Sequence, residues 1–435
     1  MPSARRAVAA LATLALAIGL AGCWGTSGSP PRQSTARASA TPSSATPAST
    51  TSKDDGPLTF WVMGDSTTGF QRLVAPFTKG TGIAVHAVAV PWNAVDQRFR
   101  AAIASGKGPD LLQIGLTNLP TQAASGALLN LKDAFAGGGA LAEHNFLPHI
   151  TGAATSSAGD VSSVPWIADT RVLFYRSDIL KAAGIDSPPT TWDELRADAK
   201  TLAARGKGEY GFSIPQTDSA LPVELTWDQG GDVVDGSGRL RFDTPAFDRA
   251  VDLYLGLYAD GSVPTAKGFG QQRGFISGVL PMLVSGPYLA RAITAVAPSL
   301  KGKWSVAPLP AARTNTSLFA GSNIGVWAAT RHKASALKLL DYLAQPATQA
   351  RLFAMSGNLP TVKAAYDRPE LRADPFVATY RQQLLDAKLL PQVENWDGGA
   401  GAALLKALNA IALHGANRER TLQQLSHDTA KYRVG

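Results

Sequence analysis

Cysteine is almost absent. Cys23 is the one cysteine in 435 residues, which excludes an intrachain disulfide and a thiolate metal cluster. Histidine is scarce and scattered: the six histidines (His86, His144, His149, His332, His414 and His427) show no metal-ligand spacing, and His144 and His149, five apart, fit no common zinc pattern. There is no Gly-x-Ser-x-Gly nucleophile elbow, no Walker A loop and no His-Glu-x-x-His. Adjacent carboxylates such as Asp193-Glu194 sit at an expected helix start, where capping accounts for them. These blanks argue against an enzyme and against a bound metal or cofactor. Runs of like charge are missing too. The formal charge is +8, but the basic residues are dispersed and no basic-aromatic ladder occurs, so a nucleic-acid partner is not expected. A modest attraction to anionic surface polymer is the plainer meaning of that charge. No solenoid-type repeat is present.

The apolar runs that do occur are short. Arg5 and Arg6 precede an uncharged stretch from Val8 to Gly22. That stretch falls short of the roughly 20 apolar residues a membrane span needs, and it fits the apolar region of a signal peptide over residues 1–22. Leu20-Ala21-Gly22-Cys23 resembles the lipobox of bacterial lipoproteins, which makes Cys23 the expected lipidation site. Small residues admit the backbone to a peptidase groove, and the sulfur takes a diacylglyceryl group. Acyl burial contributes about 0.8 kcal/mol per CH₂, so several chains on one cysteine hold the protein to the outer face of the cell membrane. A soluble secreted protein with a chance cysteine is the competing reading. Arg5-Arg6 also leaves two export routes open, the general secretory one and the twin-arginine one. Cys23 and the Gly, Ser, Thr, Pro and Ala-rich residues that follow it, 23–56 in all, read as a lipidated tether that cannot bury enough apolar surface to order itself.

The remainder is ordinary globular material: hydrophobic residues make up 45% of the chain and charged residues 17%. At roughly 150 residues per domain, the length implies two or three domains. Strands are expected at Leu58–Gly64, at Ile83–Val90, which alternates with period two, and at Asp110–Gly115. Helices are expected between them, one carrying Phe70, Leu73, Val74 and Phe77 on its inner face, the other through Val95–Ala104. This β-α-β-α-β order predicts a mostly parallel sheet flanked by helices. Further along, Val172–Tyr175 reads as a strand. Thr191 and Glu194 resemble a capping box for a helix running to about Arg205. Thr244-Pro245 starts another helix, with Phe247, Val251, Tyr254 and Tyr258 inward. Two helices after Lys333 are split at Pro346, and two more close the chain, over roughly 400–413 and 420–432.

Aromatic residues are better supplied, with nine tryptophans. Trp61, Trp92, Trp166, Trp227, Trp327 and Trp396 fall at expected strand ends or loops. Polar residues accompany them, among them Asp65, Asn93, Asp169, Asp228, Asn323 and Asp397. A pyranose has an apolar C–H face that stacks on a ring and a rim of hydroxyls that needs donors and acceptors, so this combination suits a sugar. Core packing is the competing reading for each tryptophan. It is preferred outright for Trp192, in the capped helix, and for Trp304.

Several segments in order resemble the family 1 extracellular solute-binding proteins of ABC importers, on the maltose/maltodextrin- and trehalose-binding branch. They are LTFWVMGD from Leu58, KGPDLLQIG with the later SGALLNL, VPWIADTRVLFYRSDILKAAGIDSPPTTWDEL over Val164–Leu195, WDQGGDVVD, FISGVLPMLVSGPYLARAI and FAGSNIGVWAATRHK. The resemblance spans Leu58 to Tyr432. It implies an α/β, two-lobed periplasmic-binding-protein-like fold with hinge crossovers, each lobe a mostly parallel sheet flanked by helices. The implied division is 57–168 plus 324–372 for the N-terminal lobe and 169–323 plus 373–435 for the C-terminal lobe. A monomer is implied, with a carbohydrate between the lobes and ABC permease subunits as partners. Asp65 matches the carboxylate after the family's first strand, and Asp169 the acidic residue at its first crossover. Tyr288 matches a stacking aromatic, and Gly321-Ser322-Asn323 a ligand-facing loop before the second crossover. Thr117 and Asn118 stand where the maltodextrin binders have an Asp-Arg pair, and Ser66 where they have a lysine. With the aromatic inventory, the expected ligand contacts are Asp65, Asp169 and Asn323 on hydroxyls, Trp227, Tyr288 and Trp396 against sugar faces, Trp92 on the near-lobe floor, and Gly321 and Ser322 beside them. Alternatives are the same fold around a phosphorylated or other non-sugar solute, with Arg171 and Arg273 as candidate anion ligands, a secreted glycoside-active enzyme, and a surface sensor or adhesin.

Overall fold

The computed structural model describes residues 56–147, 150–156 and 159–434. The expected signal segment, Cys23, the tether up to residue 55 and His149 lie outside them. Among the described residues no helix is long and apolar enough to cross a membrane, and no cluster of three or more potential metal ligands occurs.

Among the described residues nine strands form two sheets: β1 (Leu58–Met63), β2 (Val85–Val90), β3 (Leu111–Gly115), β4 (Val164–Thr170), β5 (Val172–Tyr175), β6 (Met282–Ser285), β7 (Ser305–Ala307), β8 (Phe319–Val326) and β9 (Leu359–Pro360). The first sheet has the order β2-β1-β3-β8-β4-β9 and the second β6-β5-β7. The two-lobed α/β architecture is therefore as expected. The strand pairing is more mixed. Between these strands, parallel pairing is confined to the β1, β2 and β3 run, while β8 pairs antiparallel with both β3 and β4, and the second sheet is wholly antiparallel. The reason lies in the crossings: β4 carries the chain out of the first sheet and β8 carries it back, so the two must run in opposite senses.

Local signals set the helices. The first, Thr68–Thr81, buries Phe70, Leu73, Val74 and Phe77 and ends on Gly82 in the left-handed conformation. Thr191 and Glu194 form a complete capping box on helix Trp192–Ala203. Thr244 caps helix Pro245–Ala259, which buries all four expected aromatic and aliphatic positions. Helices Lys333–Ala344 and Pro346–Ser356 divide at Pro346, as its missing N–H requires. Trp192 and Trp304 are both core residues. Arg176 is buried and structural: it holds Asp178 through two hydrogen bonds of 2.9 and 2.8 Å and caps the Phe275 carbonyl at 2.9 Å.

Two segments join the sheets, and a third, which leads to the last two helices, meets them at one point. Chain passes from β4 to β5 at Arg171, enters β8 through Ser317-Leu318, and runs past Lys388. The Lys388 N–H donates to the Ser317 carbonyl, and the Phe319 N–H donates to the Lys388 carbonyl. The Ser317 hydroxyl accepts from the Arg171 N–H at 3.1 Å. The crossing segments are thus hydrogen-bonded to one another rather than only to the sheets they connect.

Candidate functional site

At the mouth of these crossings lies a cavity of about 650 Å³. Its walls come from both sheets' surroundings: Trp92 from the short turn after β2, Trp166 and Asp169 from β4, Tyr288 from the start of helix Tyr288–Val296, Gly321 and Ser322 from β8. Trp92 and Tyr288 are the two large aromatics left half-exposed here, at 55% and 51%. Each presents a ring to the open space. A smaller pocket of about 150 Å³ shares Trp92 and Gly321 with the main one.

The polar groups divide into spent and free. The Gln113 side chain is spent: it accepts from the Met63 N–H at 2.9 Å and donates to the Ser322 hydroxyl at 2.8 Å. Two buried atoms of the lining have no partner, the Trp166 indole N–H and Asp169 Oδ1. Trp166 is held edge-on to Phe60 and Phe70, with ring centroids 6.1 and 5.8 Å away, so its indole is fixed. Burial pushes the Asp169 carboxyl up to about 7, against the pull of Arg171. Both residues line the cavity, and a solute hydroxyl can accept from an indole N–H and donate to a carboxyl oxygen.

Glycine shapes the cavity twice. A Cβ on Gly286 would stand 2.5 Å from Asp169 Oδ1, so the backbone before Tyr288 approaches the carboxylate closely only because no side chain intervenes. Gly321 has a φ of +135°, and a Cβ there would stand 1.9 Å from the Ile167 carbonyl. This coincides with a register shift in β4 between Pro165 and Ile167, which turns the strand at the cavity edge.

Of the residues expected from sequence, Trp92, Asp169, Tyr288, Gly321 and Ser322 come together in this cavity. Asp65 is exposed in the turn after β1, next to Ser66, which lines it. Gly321-Ser322-Asn323 lies within β8 and is not a loop. Strand alternation then separates Ser322 from Asn323: the latter is 2% exposed and donates to the Ser163 hydroxyl at 2.9 Å, on the far side. Trp227 and Trp396 are also elsewhere. Both pack in the core around the second sheet, Trp227 donating to Asp232 at 3.2 Å and Trp396, fully buried, to Ser219 at 3.1 Å. Neither offers a free ring face, because each indole closes a helix against its neighbours. Arg171 is not a free anion ligand either, since Asp218 and Glu224 take its guanidinium at 2.7 and 2.9 Å. Arg273 does not line the cavity.

Sequence reasoning missed Arg72, at the rim, and Met355, Ser356 and Asn358, which follow from the end of helix Pro346–Ser356. The Phe70, Leu73, Phe77 stripe marks Arg72 as outward but not as cavity-facing, and the helix end carries no motif. Trp166 was distinguishable from the other tryptophans only by its place three residues before Asp169.

A deep cleft entered by strand crossings between two α/β lobes defines a solute-binding protein. Residues 63–350 match the bacterial extracellular solute-binding protein family, and the chain belongs to it. A binding protein of Brucella abortus is 28% identical over 337 residues, covering 73% of this chain and 78% of that one. The sn-glycerol-3-phosphate-binding periplasmic protein UgpB of Escherichia coli K12 is 26% identical over 317 residues, covering 67% of this chain and 71% of its own. The sugar-binding protein MalE of Xanthomonas citri superposes with a TM-score of 0.78 at 26% identity, over 86% of this chain and 96% of that chain.

Proposed function

We propose that the protein is a lipid-anchored receptor that captures a carbohydrate between its lobes and hands it to an ABC permease. The observation that carries the carbohydrate reading is the pair of buried, unpartnered polar atoms, the Trp166 indole N–H and Asp169 Oδ1, in a cavity that also presents the Trp92 and Tyr288 rings. Rings stack on the C–H face of a sugar and the polar pair takes a hydroxyl. The similarity to a sugar-binding MalE supports the same class, and the family's extracellular placement agrees with a signal peptide over 1–22 and an acylated Cys23.

On this reading Asp65 and Asp169 bind hydroxyls, Trp92 and Tyr288 stack, and Gly321 and Ser322 form the hinge-side wall. The lobes are 57–168 plus 324–372 and 169–323 plus 373–435, and the ligand, touching both, favours the closed state. The protein transports and has no catalytic role.

One observation favours a second reading. Arg72 lines the cavity rim and forms no ion pair among the described residues, and a relative binds sn-glycerol-3-phosphate. A thermal-shift panel decides between them. Neutral mono- and oligosaccharides are expected to raise Tm, because a ligand bound only by the folded state stabilises it as RT ln(1 + [L]/Kd). Stabilisation by glycerol phosphates alone would replace the carbohydrate reading with the second.

A further inference from the structure

Asp169 has an obvious partner that it does not use. Arg171 lies two residues further along the same extended crossing. Its guanidinium is taken instead by Asp218, which accepts two hydrogen bonds, at 2.7 and 2.9 Å, and by Glu224, which accepts one at 2.9 Å. Asp169 Oδ1 is left buried and without a partner, close to Gly286, while the residue lines the cavity.

Glu224 is unusual in its own right. It stands in helix Leu221–Asp228, every residue of which is buried, and the glutamate itself is fully buried. Its two oxygens go to two different crossings. Oε2 takes Arg171, and Oε1 takes the Leu318 N–H at 2.8 Å, with the Ser317 hydroxyl at 3.4 Å. Beyond these anchor points the same two segments continue directly into the cavity, one as Asp169, the other as Gly321 and Ser322. A buried carboxylate that merely balanced Arg171 would be redundant, since Asp218 already does so with two bonds.

We propose that Glu224 is a positioning residue for ligand binding: with Asp218 it captures Arg171, and so keeps Asp169 Oδ1 without a partner and available to the solute. It touches no ligand. The unpaired acid gains its hydrogen bonds only when a solute arrives, which makes the solute the missing partner of a buried polar group. The proposal rests on the assignment of Asp169 to the binding site.

The groups that face Asp169 come from several elements. Arg171 and, behind it, Glu224 and Asp218 belong to the crossing and to the segment leading into helix Leu221–Asp228. The Tyr380 phenol comes from helix Val377–Leu385, and Arg72 and Tyr288 line the same cavity. Arg171 is the cation among them with the stronger hold on Asp169, and Glu224 is a like charge that opposes ionisation.

The test is the carboxyl ¹³C titration of Asp169 in the ligand-free full chain, its resonance assigned by its loss in Asp169→Asn. In Glu224→Gln the midpoint is expected to fall by about one pH unit, because a like charge is gone and Arg171 is freed to turn to Asp169. Asp218→Asn is expected to lower it as well. Loss of the like charge alone also lowers the midpoint, so the same step is measured in an Arg171→Gln background; a fall there as large as in the wild-type background means that Glu224 acts by its charge and not by holding Arg171, and overturns the proposal. Asp218 is at the edge, with a side chain 15% exposed, so its variant decides the matter if Glu224→Gln does not fold. A midpoint that stays or rises in a folded variant overturns the proposal. The measurement needs no ligand, so it can fail while the carbohydrate reading stands, and the reverse.

Discussion

Asp169 joins the sheet crossing to the solute, and two predictions concern it alone. Asp169→Ala is expected to weaken sugar binding by more than about tenfold, the scale of losing a hydrogen bond to a charged or strongly polar acceptor. The urea unfolding midpoint at pH 7 should not fall, since burial disfavours the wild-type carboxylate and its Oδ1 has no partner. Isothermal titration showing unchanged affinity removes Asp169 from the site. The second concerns pH. In the folded chain Asp169 is held up to about 7, by burial, and Asp228 up to about 8 for the same reason. Unfolded carboxyls release their proton near 4. Between those values the folded state binds more protons, so stability falls as pH rises from about 4 to 7. Asp169→Asn is expected to flatten part of that fall, read from urea midpoints across the range, and an unchanged slope refutes the assignment. At this scale the sequence marked chemistry well and placement poorly. Trp92, Trp227 and Trp396 look alike as letters in loops, yet one is half-exposed at the cavity and two are core. The difference is set by which helix packs over each ring, a contact between residues distant in the chain.

Elements were the most legible scale. The capping box at Thr191, the Thr244-Pro245 start and the Pro346 break each act within a few residues, so a linear reading reaches them. Thr191→Ala is expected to cost about 1 kcal/mol, the usual worth of an N-cap, in urea unfolding. The β8 edge was less legible. The family resemblance implies a loop at Gly321-Ser322-Asn323, but the structure uses Gly321 to pass a strand against the Ile167 carbonyl. Gly321→Ala combines a left-handed backbone with a clash. It is expected to destabilise by about 2 kcal/mol or more and to weaken ligand binding, since Ser322 follows it into the cavity wall. Wild-type Tm and affinity in that variant would show that the crossing tolerates a side chain.

At the scale of the molecule, closure is the property to test. Two hydrogen bonds link the segment after β3 to the loop before the last helices: Thr117 donates to Asp397 at 2.8 Å, and the Asn395 N–H donates to Thr121 at 3.1 Å. Asn395 takes a left-handed φ of 54° to do so. The expected lobe division puts these partners on opposite sides. Thr117→Ala is therefore expected to enlarge the ligand-free radius of gyration in small-angle scattering, with saturating ligand restoring the compact value. Equal radii for both proteins would show that these bonds do not bear on closure. The chain alone was enough for the helices marked by a cap, a proline break or an apolar stripe, the first three strands, the two-lobed class and the inventory of rings and acids, because periodicity, capping and motif order are local or sequential. Folding in three dimensions settled which of those rings face a common space, that Arg171 is taken by Glu224 and Asp218, and that Asp169 is thereby left unpaired. Those outcomes depend on contacts across 47 and 53 residues of chain, where no spacing rule operates and packing alone selects the partner.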